Sequence, residues 1–431
     1  MFSKYKSILQ SISLLVIFVA IAKIIGLAKE ILFARNYGVS EDIDFYFFYL
    51  SLFGWPAAII LSIFSSVFIP ILTSLEAQKK QVFSSELFGV SIVISAFLFL
   101  ILIIFKDFLI SLFPYFEQVN NIDFNYLIVS SMAPIFILIS LFSVLIMASG
   151  SKVNTLMDSL PAIILMLFLT FFISSNLDKL MIATLFGFLL QLLCMIMFWY
   201  RTTQKIEIRF SFASPAWVES KKNFSIMLFS SLLLATVTLL DQFFSVNLSA
   251  ESVSLLNYAN KLLIVILAFG GLIIQRTFLP DFSLMNSEGN LFSRDAFFWF
   301  VLIFFSSLIL SLFFFIFSEQ ILKLLFLRGN FSESDLNEVI PIFNFGLIQV
   351  PFYLSSLVLI QFFLSKKLVL IVAASGILAF LVKIPLNFIM LDSFGLKGLN
   401  LASSLMYIIS FSLILAYFIF WYRQLNVKSS K

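Results

Sequence analysis

The sequence predicts an all-α membrane protein that crosses the bilayer about twelve times, and its composition and hydropathy support that class. Hydrophobic residues make up 61% of the 431 residues, charged residues only 12%, and the mean hydropathy is +1.09. Apolar stretches of about 20 residues, long enough to span a bilayer as a helix, recur along the chain. With no histidine and one cysteine, the chain lacks the residues of zinc sites, His-dependent catalysis and disulfide frameworks. A transporter is therefore favoured over an enzyme, and the absence of any basic run argues against nucleic acid as a partner.

Six predicted spans lie in each half of the chain. Those of the first half cover residues 9–33, 44–72, 87–105, 124–148, 155–173 and 180–200. Those of the second half cover residues 224–248, 252–280, 296–317, 336–364, 368–390 and 397–421. The polar stretch 201–222 lies between them. We expect it to be a cytoplasmic linker that joins an N-terminal lobe, residues 1–200, to a C-terminal lobe, residues 223–431.

The two halves resemble each other at an offset of 210 residues. Phe68-Ile69-Pro70 ends the second span as Phe278-Leu279-Pro280 ends the eighth, and Glu41 precedes the second span as Glu251 precedes the eighth. Such a match, with six spans on each side, is typical of duplicated transporter lobes. We therefore expect two six-helix lobes related by a pseudo-two-fold axis along the membrane normal.

Loop charges predict the orientation, because Lys and Arg collect on cytoplasmic loops. With both termini in the cytoplasm, sixteen basic residues fall on inner segments and six on outer segments. Both termini are therefore expected on the cytoplasmic side.

The first span carries three charges where hydrocarbon is expected: Lys23, Lys29 and Glu30. A charge at the bilayer centre costs about 2.5 to 3.5 kcal/mol on insertion scales, so such residues usually face a wet cavity. Lys23, Gly26 and Glu30 share one helical stripe, and Lys29 lies about 9 Å beyond Lys23 along the axis. The span is predicted to present a cationic site with its own counter-charge; the alternative is that the lysines pair or snorkel for structure alone.

Further charges inside spans of the second half include Lys261, Asp241 and Lys383. Lys261 is at a depth similar to that of Lys29, Asp241 is at a depth similar to that of Glu30, and Lys383 is a weaker candidate. Glu30 and Asp241 are expected to act as counter-ions that keep the lysines charged; the alternative for Asp241 is a site for a coupling Na⁺ or proton. A cavity with more positive than negative side chains is expected to bind an anion. Lysine ammonium groups are well matched to phosphate oxygens. These residues alone predict a transporter of an anion or anionic lipid.

Two local features complete the predictions from the residues. Ser332, Glu333 and Asp335 are predicted to form a capping box before the tenth span. The aromatic run Phe45–Tyr49 is expected to form an interfacial belt or a lipid-facing surface.

A series of short motifs resembles the MurJ/MviN lipid II flippases. Lys23, Gly26, Lys29 and Glu30 follow the spacing of that family's Arg-x-x-Gly-x-x-Arg-Asp pattern, and Asp44 matches a later aspartate. The resemblance continues in collinear order through Phe68-Ile69-Pro70, Tyr258-Ala259-Asn260-Lys261 and Gly329-Asn330-Phe331-Ser332.

The resemblance implies the fold of the multidrug/oligosaccharidyl-lipid/polysaccharide (MOP) exporter superfamily, in which two MATE-like six-helix lobes form a V. It implies a flippase that moves a polyprenyl diphosphate-linked glycan from the inner to the outer leaflet of the bacterial inner membrane by alternating access. By this resemblance, the diphosphate would contact Lys23, Lys29 and Lys261. Glu30, Asp44 and Asp241 would be counter-ions or coupling residues. Asn260 and Lys383 are secondary candidates.

No cofactor, catalytic residue or metal ligand is expected, and a coupling Na⁺ or proton is left open. The predicted partners are the glycan lipid, membrane lipids, and glycan synthases or polymerases.

Two departures keep the substrate open. The second span, through Leu50–Pro56, lacks the arginine pair of the lipid II flippases, and twelve spans are two fewer than those proteins have. A Wzx-like flippase of an O-antigen or capsule repeat unit fits twelve spans. Two other functions remain as alternatives: a MATE-type cation-coupled multidrug antiporter, which would need a net acidic cavity, and a non-transporting scaffold of a glycan-assembly complex.

Overall fold

A computed structural model describes residues 2–151, 153–171, 176–202, 207–287, 293–366 and 368–429. All regular secondary structure within these ranges is helical. Nine helical segments there are long and apolar enough to cross a membrane, and two apolar stretches, Leu160–Phe171 and Ser231–Val246, are shorter. The predicted all-α membrane class is confirmed. Residues 203–206 of the predicted linker lie outside the described residues.

The helices group into two compact units, Met1–Ser254 and Leu255–Lys431. The helices that begin in the first unit are α1 Phe2–Tyr37, α2 Glu41–Ile63, α3 Ile69–Ser74, α4 Ala77–Ile104, α5 Lys106–Ser111, α6 Ile122–Ala148, α7 Asn154–Met157, α8 Leu160–Phe171, α9 Leu177–Thr202, α10 Ala216–Val246 and α11 Ser252–Ser287. A π-helical turn, Phe64–Phe68, joins α2 to α3, and a 3₁₀ turn, Pro114–Gln118, precedes α6. Helix α11 continues into the second unit.

Helix α6 is the centre of the first unit, where it packs against α2, α4 and α9. Helix α10 packs against α2 in the same unit. The predicted lobe boundaries, at residues 200 and 223, stay a prediction, because a grouping by packing does not test which spans form a repeat.

The aromatic run at the start of α2 is buried, so the predicted interfacial belt is wrong. All five residues of Phe45–Tyr49 are at most 5% exposed. Phe45 and Phe48 pack on Phe116 of the 3₁₀ turn, with ring centroids 5.5 and 5.7 Å apart. The Tyr46 hydroxyl lies 3.1 Å from Thr184 Oγ1. The 3₁₀ turn therefore covers aromatic side chains of α2 that the sequence of α2 alone would place at the surface.

The second unit contains the rest of α11 and six further helices. These are α12 Ser293–Ile316, α13 Ser318–Phe326, α14 Glu333–Leu347, α15 Gln349–Ser365, α16 Val369–Phe394 and α17 Lys397–Ser429. The predicted capping box is confirmed, since Asp335 N donates to Ser332 Oγ at 3.2 Å and Ser332 N donates to Asp335 Oδ2 at 2.8 Å.

A tight turn joins α16 to α17. Gly395 has a φ of 64°, in the left-handed region that favours glycine. A Cβ at Gly398 would overlap the carbonyl oxygen of Met390, so the two helices meet at a distance that only glycine permits.

Candidate functional site

Helix α1 places Lys29 and Glu30 in a close ion pair. Lys29 Nζ lies 3.0 Å from Glu30 Oε1, with the Lys29 side chain 17% exposed and the Glu30 side chain 2% exposed. The ammonium also lies 5.3 Å from the ring centroid of the buried Phe33, within cation–π range. The Lys29 side chain is thus held between the Glu30 carboxylate and the face of an aromatic ring.

Lys23 lies six residues before Lys29, about 9 Å along the axis of the same helix. Its side chain is half-buried. The structure thus gives the first unit two cations on α1, one of which has a buried carboxylate at contact distance.

Asp44 is fully buried near the start of α2 and caps another helix. Its Oδ1 accepts a hydrogen bond from Ser254 N at 2.7 Å, and its Oδ2 accepts one from Val253 N at 3.2 Å. These N–H groups belong to the first turn of α11, where backbone donors have no partner inside the helix. The negative charge also complements the positive end of the helix dipole. The geometry favours a capping role for Asp44, and the counter-ion role expected from the sequence stays a prediction.

Asp241 is buried on α10, close to the end of that helix. Nearer the middle, α10 is joined to α2 by polar contacts between side chains. Ser231 Oγ donates to Ser62 Oγ at 2.8 Å, and Trp55 Nε1 donates to Thr236 Oγ1 at 3.3 Å. The burial of Asp241 agrees with a role as counter-ion or coupling residue, which stays a prediction.

In the second unit, Asn260 belongs to a partly buried amide contact and Lys261 follows it on α11. Asn400 Nδ2 donates to Asn260 Oδ1 at 2.9 Å and to the Ile342 carbonyl at 2.9 Å. Through Asn400, this contact joins α11, α14 and α17. Lys261 is half-buried beside it, so its position is set by a neighbour whose side chain is fixed by hydrogen bonds.

Lys383 is fully buried within the second unit. Its Nζ donates to Ser403 Oγ at 2.8 Å, which links α16 to α17. A fully buried ammonium is costly without polar partners. This contact gives Lys383 a structural role in addition to the secondary binding role expected from the sequence.

Sequence reasoning missed Glu86 on α4, which is fully buried and accepts four hydrogen bonds from the segment before α10 and from the first turn of α10. The donors are Ser211 Oγ at 2.7 Å, Ala213 N at 3.1 Å, Ser214 N at 3.3 Å and Trp217 Nε1 at 2.8 Å. One signal was available in the sequence: an acid at the start of a strongly apolar span has to find partners.

Acidic, histidine and cysteine side chains do not gather into groups of three or more anywhere in the described part of the chain.

A family of known transporters matches nearly the whole sequence. The model of the lipid II flippase MurJ matches residues 33–430. The chain belongs to the MurJ lipid II flippase family. This family consists of multi-pass membrane transporters, not enzymes. The match begins at Phe33, so Lys23, Lys29 and Glu30 lie just before it.

Solved structures with a similar fold include a MurJ flippase and transporters of the MOP superfamily. The chain is similar to the lipid II flippase MurJ in an inward closed conformation, with a TM-score of 0.81, 19% identity, and coverage of 94% of this chain and 87% of that chain. It is also similar to a multidrug resistance MATE family transporter of the MOP superfamily in an inward-facing conformation, with a TM-score of 0.70 and 13% identity over 95% and 96% of the chains. A MOP superfamily transporter from Pyrococcus furiosus gives a TM-score of 0.57 at 14% identity over 97% and 96%. Among curated proteins, none matches the chain.

These likenesses confirm the predicted MOP fold, and the match to residues 33–430 confirms the resemblance to the MurJ family. At these identities the solved structures show the fold alone, so the substrate does not follow from them.

Proposed function

We propose that this protein flips a polyprenyl diphosphate-linked glycan from the inner to the outer leaflet by alternating access. The observation that carries the proposal is the match of the lipid II flippase family to residues 33–430. The likeness to multidrug transporters concerns the fold alone, so it does not favour an antiporter of organic cations.

The diphosphate is proposed to bind Lys23, Lys29 and Lys261. Two of these lysines lie on α1, where Glu30 contacts Lys29 at 3.0 Å. A lysine ammonium has three N–H donors, so one that contacts a single carboxylate can still turn further N–H groups toward phosphate oxygens. Lys261 adds a third cation from α11.

Glu30 and Asp241 are proposed to hold the charge state of these lysines, and Asp241 is also the candidate for a coupling Na⁺ or proton. Asn260 and Lys383 are proposed as secondary candidates at the site; Asn260 accepts a hydrogen bond from Asn400, and Lys383 donates one to Ser403. Asp44 would act by holding the first turn of α11.

The proposed setting is the bacterial inner membrane, with both termini in the cytoplasm. Membrane lipids surround the protein, and glycan synthases or polymerases are proposed to supply or consume the lipid. Lipid II and a surface-polysaccharide repeat unit are the two proposed cargoes, because the second span lacks the arginine pair of lipid II flippases.

The test is flipping of a fluorescent undecaprenyl diphosphate-sugar in proteoliposomes. Wild type should flip the lipid, and Lys23→Ala and Lys261→Ala should each slow it by about tenfold or more, since each removes a charged contact of about 1.5–3 kcal/mol. Lys79→Ala is the matched control, because Lys79 is 61% exposed and pairs with Glu76 at the surface.

Two results would contradict the proposal. Wild-type flipping no faster than in empty liposomes, for both lipid II and repeat-unit glycans, would reject the function. Normal flipping by the Lys23→Ala, Lys261→Ala double variant would reject the proposed binding residues and leave the function standing.

A further inference from the structure

Helices α8 and α9 of the first unit form an apolar groove between them. Each helix contributes residues spaced three and four apart, which lie on one helical face. The two faces enclose a volume of about 490 Å³. The apolar lining includes Ile164, Phe168 and Phe171 of α8, and Ile182, Ala183 and Phe186 of α9.

The shape of the groove follows from how the two helices meet. A Cβ at Gly187 would lie 3.0 Å from the Cα atom of Pro161, so the backbones of α8 and α9 touch about one turn before Ile164. From Ile164 to Phe171 the groove extends about 10 Å along the axis of α8. At about 30 Å³ for a group of the size of water, it has room for roughly sixteen such groups. That space suits the upper parts of the acyl chains of one lipid.

The outer surface of both helices is apolar, which directs the groove at lipid. Phe171 is 75% exposed on α8, and Ile182 and Phe186 are 50% and 57% exposed on α9. The exposed apolar stripe of α9 continues through Leu193 and Met197. Helix α9 is long and apolar enough to span a membrane, so this stripe is expected to face hydrocarbon chains.

Lys179 adds a positive charge at the end of the groove near Phe171. It lies in the first turn of α9, and its side chain is exposed. The predicted span begins at residue 180, so the ammonium is expected at the depth of lipid head groups.

The acidic neighbour of Lys179 is engaged elsewhere. Asp178 Oδ1 accepts a hydrogen bond from Asn125 Nδ2 at 2.9 Å, and its Oδ2 accepts one from Asn121 Nδ2 at 2.8 Å. Among the described residues, no carboxylate lies at ion-pair distance from the Lys179 ammonium. Its three N–H donors can therefore turn toward an anion from outside the chain.

We propose that the α8–α9 groove binds an anionic phospholipid, whose phosphate contacts Lys179 and whose acyl chains lie over Ala183 and Phe168. On the predicted orientation this lipid belongs to the outer leaflet. Two features distinguish it from bulk lipid: the recess between the helices and the charge at one end. The inference does not depend on the proposed flipping, because the groove belongs to one unit and its occupation requires no movement.

The test is photolabelling in proteoliposomes. Phosphatidylglycerol with a diazirine in one acyl chain is compared with phosphatidylcholine carrying the same group, at equal mole fraction, and mass spectrometry locates the labelled residues. Phosphatidylglycerol should label residues 160–187 about fivefold more than phosphatidylcholine does, which is the effect of one lysine beside an anionic lipid. Lys179→Ala should remove this preference. Lys323→Ala is the matched control, because Lys323 is an exposed lysine on α13 and should leave the preference unchanged.

Ala183→Leu tests the recess separately from the charge. Ala183 is 9% exposed and is the smallest side chain of the lining, and leucine adds three carbons at its position. Labelling of the groove by both lipids should fall by about threefold or more, because the added carbons occupy the recess. Labelling at Ile309 on α12, which is 68% exposed, should not change.

Four results would overturn the proposal in protein that elutes as folded in size-exclusion chromatography. They are equal labelling of the groove by the two lipids in wild type, a preference that survives Lys179→Ala, unchanged labelling of the groove in Ala183→Leu, and a groove that neither lipid labels, which would indicate a protein contact. Displacement of phosphatidylglycerol by unlabelled undecaprenyl diphosphate-sugar at equal mole fraction would also overturn it, because the occupant would then be the proposed cargo.

Discussion

Removal of the Asp44 carboxylate tests whether a buried helix cap stabilises the first unit. Asp44 is 0% exposed and accepts hydrogen bonds from the N–H groups of Val253 and Ser254. Asp44→Ala leaves both donors in a buried place with no acceptor. The first turn of α11 also loses the negative charge that complements its dipole.

The size of the effect follows from the number of donors. A buried N–H group that loses its acceptor costs about 1–3 kcal/mol, so two of them predict a loss of about 2–6 kcal/mol in the free energy of unfolding. Asp44→Asn should lose about half of that, because its single carbonyl oxygen can still accept one of the two hydrogen bonds.

Reversible denaturation by SDS in mixed micelles measures the difference. Glu41→Ala is the matched control: it removes a carboxylate from the same end of α2, but one that is only half-buried, and should cost about 0.3–1 kcal/mol through the helix dipole. If Asp44→Ala destabilises the protein no more than Glu41→Ala does, the cap does not contribute as the geometry requires.

Three other predictions follow from single contacts. Gly398→Ala should destabilise the protein by about 1–3 kcal/mol through overlap at the tight turn, whereas Gly376→Ala should be neutral or slightly stabilising; the same denaturation assay compares them. Tyr46→Phe should cost about 1 kcal/mol, because it removes the buried hydrogen bond with Thr184; equal stability of Tyr46→Phe and wild type would contradict this. Burial lowers the pKa of Lys366 below 10.5, so the unfolded chain binds more protons there and stability should rise with pH just below 10.5. Lys366→Met should abolish that increment, which a pH series of unfolding curves would detect.

The fold was predictable because membrane spans and helix caps are local signals. Apolar stretches of about 20 residues predict helices wherever they occur, since a bilayer allows few alternatives. The capping box of Ser332 and Asp335 needs only four consecutive residues, and it is present at the start of α14. Local chemistry of this kind can be read from the sequence without knowing what packs around it.

The contacts that were missed depend on residues far apart in the chain. Asp44 meets the backbone of Val253 and Ser254, and Glu86 meets the segment before α10, more than a hundred residues later. Backbone N–H groups carry no sequence signature, so an acid that caps a distant helix cannot be told from one that pairs with a lysine. For the same reason, the burial of Phe45–Tyr49 under a 3₁₀ turn could not be predicted from the aromatic run itself.

These contacts change the charge balance on which the choice of substrate depends. A count of acids against lysines treats each carboxylate as a potential counter-ion for a lysine. The distances assign Glu30 to Lys29. They assign Asp44 to two backbone N–H groups and Glu86 to four donors, and among the described residues no lysine or arginine lies at ion-pair distance from either carboxylate. The negative charges of Asp44 and Glu86 are therefore directed at neutral hydrogen-bond donors. This arrangement agrees with the proposed diphosphate ligand.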